Sequence, residues 1–320
     1  MIPTVHLTPP LSPPTITNRS FACEADFWRV RNLLIETHSL TPVGWNWEIR
    51  RWDGWRFHRE MTTTTSDWSQ RLHLWETTDG KLVGVAHPEG VGDVFLGIHP
   101  DYRSIEPDML AWAEQELAVF NRETGRRQLE LFVFDYDVPR IRLLTERGYE
   151  KTTWGGMTRH LRFGGRSLPR PIIAAGYYLR GTYRDDEQDY QYVADILNAG
   201  FNRSIHTARE FGNFATQSPS FRHELNLVAE TLDGNFAALV GLTFDETNRL
   251  AILEPVCTHP EHRRKGLAQT LVFEGLHRVR TMGAVDVIVG TGDTDMANGF
   301  YEQVGFTEAY HGCVWRKTMS

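Results

Sequence analysis

The chain has 320 residues, of which 41% are hydrophobic, and a formal net charge of -7; that length accommodates two domains, each with its own packed core. The acidic balance argues against a nucleic-acid partner, which would need a cationic surplus to meet phosphates. The three cysteines, Cys23, Cys257 and Cys313, are widely spaced and form no CxxC or Cys/His ligand pattern, so free thiols in a reducing compartment are expected, with no metal site.

The opening residues MIPTVHLTPPLSPPTITN lack the basic flank and apolar centre of a secretory signal, and no apolar run approaches the length of a membrane span. A cytoplasmic location with no membrane partner is the expectation, and the clustered prolines predict a disordered or extended arm over residues 1–20. From Glu24 to His38, the residues Phe27, Val30, Leu33 and Leu34 recur at helical spacing and predict an amphipathic helix. Next comes a stretch crowded with tryptophan: Trp45, Trp47, Trp52, Trp55 and Trp68. It reads either as an aromatic wall that receives a substrate or as a packing cluster, and the large burial such rings provide favours packing.

Residues 72–76 and 81–86 flank the turn Thr78-Asp79-Gly80 and predict a hairpin. The segment from Val94 to Arg103 carries an apolar run into His99-Pro100. A helix over 109–120, a strand over 129–134 and a helix ending in Glu146-Arg147-Gly148-Tyr149 follow. Phe163-Gly-Gly-Arg-Ser-Leu-Pro-Arg-Pro171 has the Gly/Pro content of a linker. We therefore expect a first domain over 21–165, a linker over 166–175 and a second domain over 176–320. The second domain opens with a strand over 177–183 and a helix over 186–199. A polar loop is expected through Phe221, then strands over 225–231 and 236–244 around Asp233-Gly234-Asn235.

The most informative stretch comes after these. Leu250-Ala-Ile-Leu253 and Val256 form an apolar strand that runs into Thr258-His-Pro-Glu-His-Arg-Arg-Lys-Gly-Leu-Ala268. Leu267, Leu271 and Leu276 then recur at helical spacing. A strand, a tight basic turn and a helix result. Amides at a helix N-terminus point outward unpaired and favour phosphate oxygens, and Arg263, Arg264 and Lys265 add charge to the same turn.

This segment resembles the acyl-CoA-binding core of the GNAT superfamily of N-acetyltransferases, whose loop pattern Gln/Arg-x-x-Gly-x-Gly/Ala is met by Arg263, Gly266 and Ala268. The downstream run Ala297-Asn-Gly-Phe-Tyr-Glu-Gln-Val-Gly-Phe306 resembles the family's late helix, in which an Asn touches the pantetheine arm and a Tyr sits beside the thioester sulfur. With that motif in hand, an internal duplication becomes readable. His99-Pro100 parallels His259-Pro260, and Glu146-Arg-Gly-Tyr149 parallels Gln303-Val-Gly-Phe306. The resemblance implies an α/β fold (α+β by some schemes) of two tandem GNAT-like units, each a mixed, mostly antiparallel sheet flanked by helices. It also implies acetyl-CoA as co-substrate and a small-molecule or peptide amine as acceptor; oligomeric state is not legible.

The two copies differ where chemistry is expected. Alignment on the His-Pro pairs places Glu106 at the position of Gly266 and Asp108 at that of Ala268. Counting back from the late glycine places Leu144 at that of Tyr301. Carboxylates where phosphate should sit imply a first unit that has lost the coenzyme and serves as scaffold or as one wall of the acceptor site.

In the second unit, the resemblance implies that backbone groups of Val256, Cys257 and Thr258 pair with the pantetheine amides. Arg263, Arg264, Lys265, Gly266, Leu267, Ala268 and Gln269 would take the pyrophosphate, and Asn298 would reach the same arm. Tyr301 is the candidate general acid, because a phenol with a pKa of about 10 stays protonated at neutral pH. Strand alternation puts Glu254, Val256 and Thr258 on one side, so Glu254 is the candidate base, with a structural ion pair to an arginine as its rival role. His259 is expected to shape the turn. Asp293 and Asp295 are candidate contacts for a cationic acceptor, Asp295 alternatively as a helix cap. Cys257 should point away as a core thiol, which favours direct attack in a ternary complex over an acetyl-enzyme. A non-catalytic acyl-CoA sensor is the rival class, and the presence of both Tyr301 and Glu254 favours an enzyme.

Overall fold

A computed structural model describes residues 15–58 and 68–319. Most of the expected proline-rich arm lies outside the described residues, as does the side chain of Trp68. The last residues assigned to that arm, Ile16–Ser20, form strand β1 and not an extended tail. Strand β1 is anchored by Arg19, which pairs with Asp26 at 2.6 Å and Glu76 at 2.8 Å.

The first half continues with α1 (Glu24–His38), α2 (Ile49–Phe57), β2 (His73–Thr77), β3 (Leu82–His87), β4 (Phe95–Ile98), α3 (Glu106–Glu116), β5 (Val119–Asn121), β6 (Arg126–Phe134), α4 (Val138–Glu146) and β7 (Glu150–Arg162). The helical periodicity of α1 is the face it buries: Phe27, Val30, Leu33 and Leu34 all enter the core. The second half comprises β8 (Tyr177–Gly181), α5 (Glu187–Phe201), α6 (Ala208–Gln217), β9 (Asn226–Thr231), β10 (Phe236–Asp245), β11 (Leu250–Thr258), α7 (Leu267–Thr281), β12 (Asp286–Gly292), α8 (Asp295–Val304) and β13 (Glu308–Met319). Helix α6 occupies the stretch read as polar loop. Its apolar face buries Phe211 and Phe214, and it starts with a capping box between Thr207 and Glu210; the sequence carries both signals, which the polar reading passes over.

The duplicated units do not each own a sheet. A four-stranded antiparallel sheet, β1-β2-β3-β4, belongs to the first half, and a nine-stranded sheet in the order β5-β6-β13-β7-β12-β11-β10-β9-β8 runs through both. The halves exchange their late strands. Strand β13 inserts antiparallel between β6 and β7 of the first half, while β7 reaches across to pair antiparallel with β12 of the second. Exchange leaves neither late strand at an open edge, and it ties α8 to the first half: buried Arg159 on β7 donates to the Phe306 carbonyl at 3.1 Å and to Glu302 at 2.9 Å.

Glycine marks the tightest point of this exchange. Gly312 lies opposite Phe134 on one side and Gly156 on the other, and a Cβ there would come within 2.6 Å of the Phe132 ring and 2.7 Å of the Val133 carbonyl. Gly312→Val should therefore destabilise the protein by about 2 kcal/mol, the scale of an overpacked core. Urea unfolding followed by tryptophan fluorescence checks this; an unchanged midpoint would contradict the seating of β13.

Candidate active site

The site begins where two parallel strands part. Strand β11 pairs with β12 only from Leu250 opposite Asp286 to Ile252 opposite Ile288. Beyond that point β12 stays with β7 through Gly292, and β11 follows β10. A bulge sits on β11 at the bend, where Glu254 and Pro255 together oppose the single residue Gly241 of β10, between the Val256–Val240 and Leu253–Leu242 pairs. Gly241 makes room for it, because a Cβ there would meet the Glu254 carbonyl and the Pro255 ring at 2.8 Å each. Pro255, lacking an N-H, suits a strand position released from its ladder.

The amide of His259 donates to the Ala237 carbonyl of β10 at 2.9 Å. Antiparallel alternation then turns the amides of Val256 and Thr258 into the gap that β12 has left. Cys257 leaves the set of expected pantetheine contacts: its backbone faces β10, and its thiol is buried under α5, 3.7 Å from the Ile196 carbonyl. Burial pushes that thiol up to about 12.

The turn after β11 is built as the pattern requires. The His259 ring shapes it, with Nδ1 accepting the Glu261 amide at 3.3 Å. Arg264 and Gly266 are left-handed, with φ of 63° and 74°. Gly266 caps α7 without a side-chain acceptor, and the first helical bond runs from the Thr270 amide to the Gly266 carbonyl at 3.0 Å. The amides of Leu267, Ala268 and Gln269 therefore have no partner within the helix.

Arg264, Lys265 and Gly266 are exposed, and the turn is open to solvent. Two cations of the turn are held by the protein itself. Arg263 braces Thr258 and Gly200 through their carbonyls, at 3.4 and 3.1 Å, and Lys265 donates to the Tyr177 hydroxyl at 2.8 Å. His259, Glu261 and His262 have ligand atoms within 4.8 Å of one another, although His262 Nδ1 already sits 2.8 Å from that hydroxyl.

The same place in the first half is closed from within. His99 shapes its turn identically, Nδ1 accepting the Asp101 amide at 3.3 Å. Helix α3 then starts with Glu106, Pro107 and Asp108, which remove one amide and add two carboxylates. Glu106 is buried against Arg103 at 3.1 Å and against Arg140; Asp137 joins the cluster and accepts from Trp45 Nε1 at 2.8 Å.

The strand gap is filled too. The Asn46 carboxamide donates to the Ile98 carbonyl at 2.9 Å and accepts the Ile98 amide at 3.1 Å, on the residue that aligns with Thr258. Gly44 (φ 83°) lies against Phe134, whose ring would be 2.5 Å from a Cβ at that position. Asn46, with the adjoining chain, was not singled out by sequence reasoning, because nothing local marks a side chain that will complete a distant strand.

Between the halves lies a cavity of ≈ 910 Å³, and both strand gaps open onto it. Its first-half wall includes Trp45, Trp47, Trp55 and Phe95; its second-half wall includes Glu254 and Thr291. The tryptophan-rich stretch thus divides, since Trp52 is fully buried in the core and stacked 5.4 Å from Phe27. Glu254 is exposed and, among the described residues, has no ion-pair partner, which removes the structural role considered for it.

Tyr301 is buried on α8 beside Phe306, and burial, with the Glu254 charge next, pushes its phenol up to about 12. Asn298 is held between Arg159 and Asp293, at 3.1 Å from each. Thr294, and not Asp295, caps α8, accepting the Ala297 amide at 3.4 Å.

A parted parallel strand pair whose first member turns into an uncapped helix defines a GNAT-type fold, present here twice. Residues 190–306 match the family model of the acetyltransferase (GNAT) family, so the second half is a GNAT domain in a chain of tandem GNAT architecture. Solved structures agree. A tandem GNAT protein from the clavulanic acid biosynthesis pathway aligns with TM-score 0.65 at 16% identity, over 95% of this chain and 98% of its own. A GCN5-related N-acetyltransferase from Sphaerobacter thermophilus gives 0.63 at 15%, over 95% of both chains. A GNAT-family acetyltransferase from Colwellia psychrerythraea gives 0.58 at 12%, over 95% of this chain and 100% of its own. At these identities the likeness concerns the fold. A search of curated proteins finds no significant match.

The buried Cys257 thiol should stay protonated, since its thiolate becomes appreciable only as pH approaches about 12, and thiolate is the reactive form. Iodoacetamide at pH 8 should label exposed Cys23 and leave Cys257 untouched until the protein is unfolded. Mass spectrometry of the native protein reads this out, and rapid labelling of Cys257 would contradict its burial.

Proposed function

We propose that the second half is an acyl-CoA-dependent N-acyltransferase, with acetyl-CoA as the co-substrate. The acyl group passes directly to an amine acceptor, a small molecule or a peptide, bound in the cavity between the halves. One juxtaposition carries this reading: the strand gap, the uncapped start of α7, Tyr301 and Glu254 converge, and Glu254 opens into the cavity.

The coenzyme's diphosphate fits the amides of Leu267, Ala268 and Gln269, flanked by Arg264 and Lys265, with Arg263 bracing the turn. Its pantetheine amides fit the open edge at Val256 and Thr258, where a backbone donor also stabilises the oxyanion; such donors are worth about 3 kcal/mol elsewhere. Asn298 lies beside that arm, on the α8 face that carries Tyr301. The Tyr301 phenol, protonated throughout the working range, gives a proton to the departing thiolate. Glu254 takes one from the nucleophile.

The first half does not bind coenzyme in this reading, since Asn46 fills its strand gap and Glu106 its phosphate position. It contributes the aromatic wall of the acceptor site instead.

Tyr301→Phe should cut turnover by about 10²-fold or more, the scale of lost acid-base catalysis, while coenzyme affinity by isothermal titration stays near wild type. Unchanged turnover would remove Tyr301 as the acid. Gly266→Glu copies the first half, putting a carboxylate and a Cβ in a left-handed position, and should abolish coenzyme binding in the same titration. Thiol release from acetyl-CoA across a panel of amines separates an enzyme from a sensor, which would bind coenzyme and release none above background.

A further inference from the structure

The cavity holds a second carboxylate from the other half of the chain. Glu48 ends the segment that fills the first half's strand gap, and it starts α2, where its Oε2 accepts the Arg51 amide at 2.7 Å. Among the described residues no other donor bonds that carboxylate. The next residue, Ile49, is buried against Leu250, Ile252 and Ile288, the residues at which β11 and β12 begin to part. This docking brings Glu48 to the mouth of the second half's strand gap, and Glu48 and Glu254 line one cavity from opposite halves.

An alkyl ammonium must lose two protons on the way to an amide: one to free its lone pair, and one from the nitrogen of the tetrahedral intermediate. We propose that Glu48 takes the first of these protons and Glu254 the second, so that the first half supplies a catalytic group to the second. This rests on the acyltransferase reading given above.

The proton balance closes. The first proton leaves Glu48 for solvent. Nitrogen attacks the thioester carbonyl, a C–N bond forms and the C–S bond breaks. The second proton passes to Glu254, whose charge acts on Tyr301, and replaces the one that Tyr301 gives to sulfur. One amide, one thiol and one released proton result.

The electrostatics of the cavity support this division. The Glu48 carboxyl is open to the cavity but removed from bulk water. That desolvation, with the negative charge of Glu254 next, pushes it up to about 7, against the Arg51 amide and the Arg50 and Arg51 guanidiniums. Arg51 is itself paired with Glu89. The histidines around the cavity do not compete: burial pushes His58 and His87 down to about 3, and His38 is lowered as well, so all three stay uncharged near neutrality. A base with a pKa near the working pH accepts protons most effectively.

Only the ionised carboxylate accepts a proton, so kcat/KM should rise with pH through about 7. That limb should stay at one pH across amines of different basicity. Glu48→Gln keeps an acceptor for the Arg51 amide; it should bind coenzyme normally, lose about 10²-fold in kcat/KM and lose the limb. Glu48→Asp should recover part of the rate and show a limb again. Glu254→Gln, which removes the like charge, should be slower and move the limb to lower pH.

A Glu48→Gln protein with wild-type rate and profile overturns the proposal, as does a limb that tracks the pKa of the amine. If Glu48→Gln does not fold, an unmoved limb in Glu254→Gln overturns it. Should wild type transfer no acyl group to any amine, the acyltransferase reading and this proposal fall together. Slow Tyr301→Phe beside unaffected Glu48→Gln removes the proposal alone.

Discussion

The departure of β11 from β12 after Ile252 is the constraint that the rest of the molecule serves. Two parallel strands normally continue side by side, because every buried amide and carbonyl needs a partner. Here they separate, and each is claimed by a neighbour on its far side: β12 by β7 from the first half, and β11 by β10. The bulge of β11 at Glu254 and Pro255, accommodated by Gly241 opposite, lets the strand bend without burying an orphaned donor. The gap thus exists because the outer pairings are strong, and the strand exchange between halves supplies one of them. Rigidity around the gap matters to any chemistry there, since a preorganised backbone donor stabilises charge without reorganising.

The same constraint is solved in opposite ways in the two halves. In the second, the gap and the start of α7 are left unfilled by the protein, and the cations of the turn sit at the surface. In the first, Asn46 supplies both a donor and an acceptor to Ile98, and Glu106 with Asp137 neutralises Arg103 and Arg140. Buried ion clusters of this kind contribute little net stability, but losing one member would strand a buried charge. Filling the first gap also has a geometric consequence. The chain that plugs it runs directly into Glu48 and α2, so filling the first gap and placing Glu48 in the shared cavity are a single structural feature.

Much of the site was legible beforehand because it is local. The His-Pro turn, the tight turn at Gly266, the helix of α7 and the helix of the α8 signature all lie within short stretches whose backbone demands are written in residue type, and the structure forms each of these elements. The duplication was legible for the same reason, through the two His-Pro pairs and the two late Gly-aromatic pairs, and the structure gives both His rings the same hydrogen bond. Local reading failed where partners come from afar. Arg159 holding Asn298, Asn46 completing β4 and Ile49 seating α2 on β11 are contacts between residues more than a hundred positions apart or between side chain and distant backbone. Helix α6 is the exception, a local element whose capping box and apolar face are legible in a stretch read as polar loop.

The sequence alone therefore determined the repeated α/β unit, the basic Gly266 turn of the second copy and the carboxylates that replace it in the first, because residue type and charge at a turn depend on a handful of adjacent residues. Only the tertiary structure decided that β7 and β13 change places, that the tryptophan stretch is part core and part cavity wall, and that Glu48 stands in the same cavity as Glu254. Strand partners and cavity walls are chosen by burial summed over the whole chain, and no short stretch carries that sum.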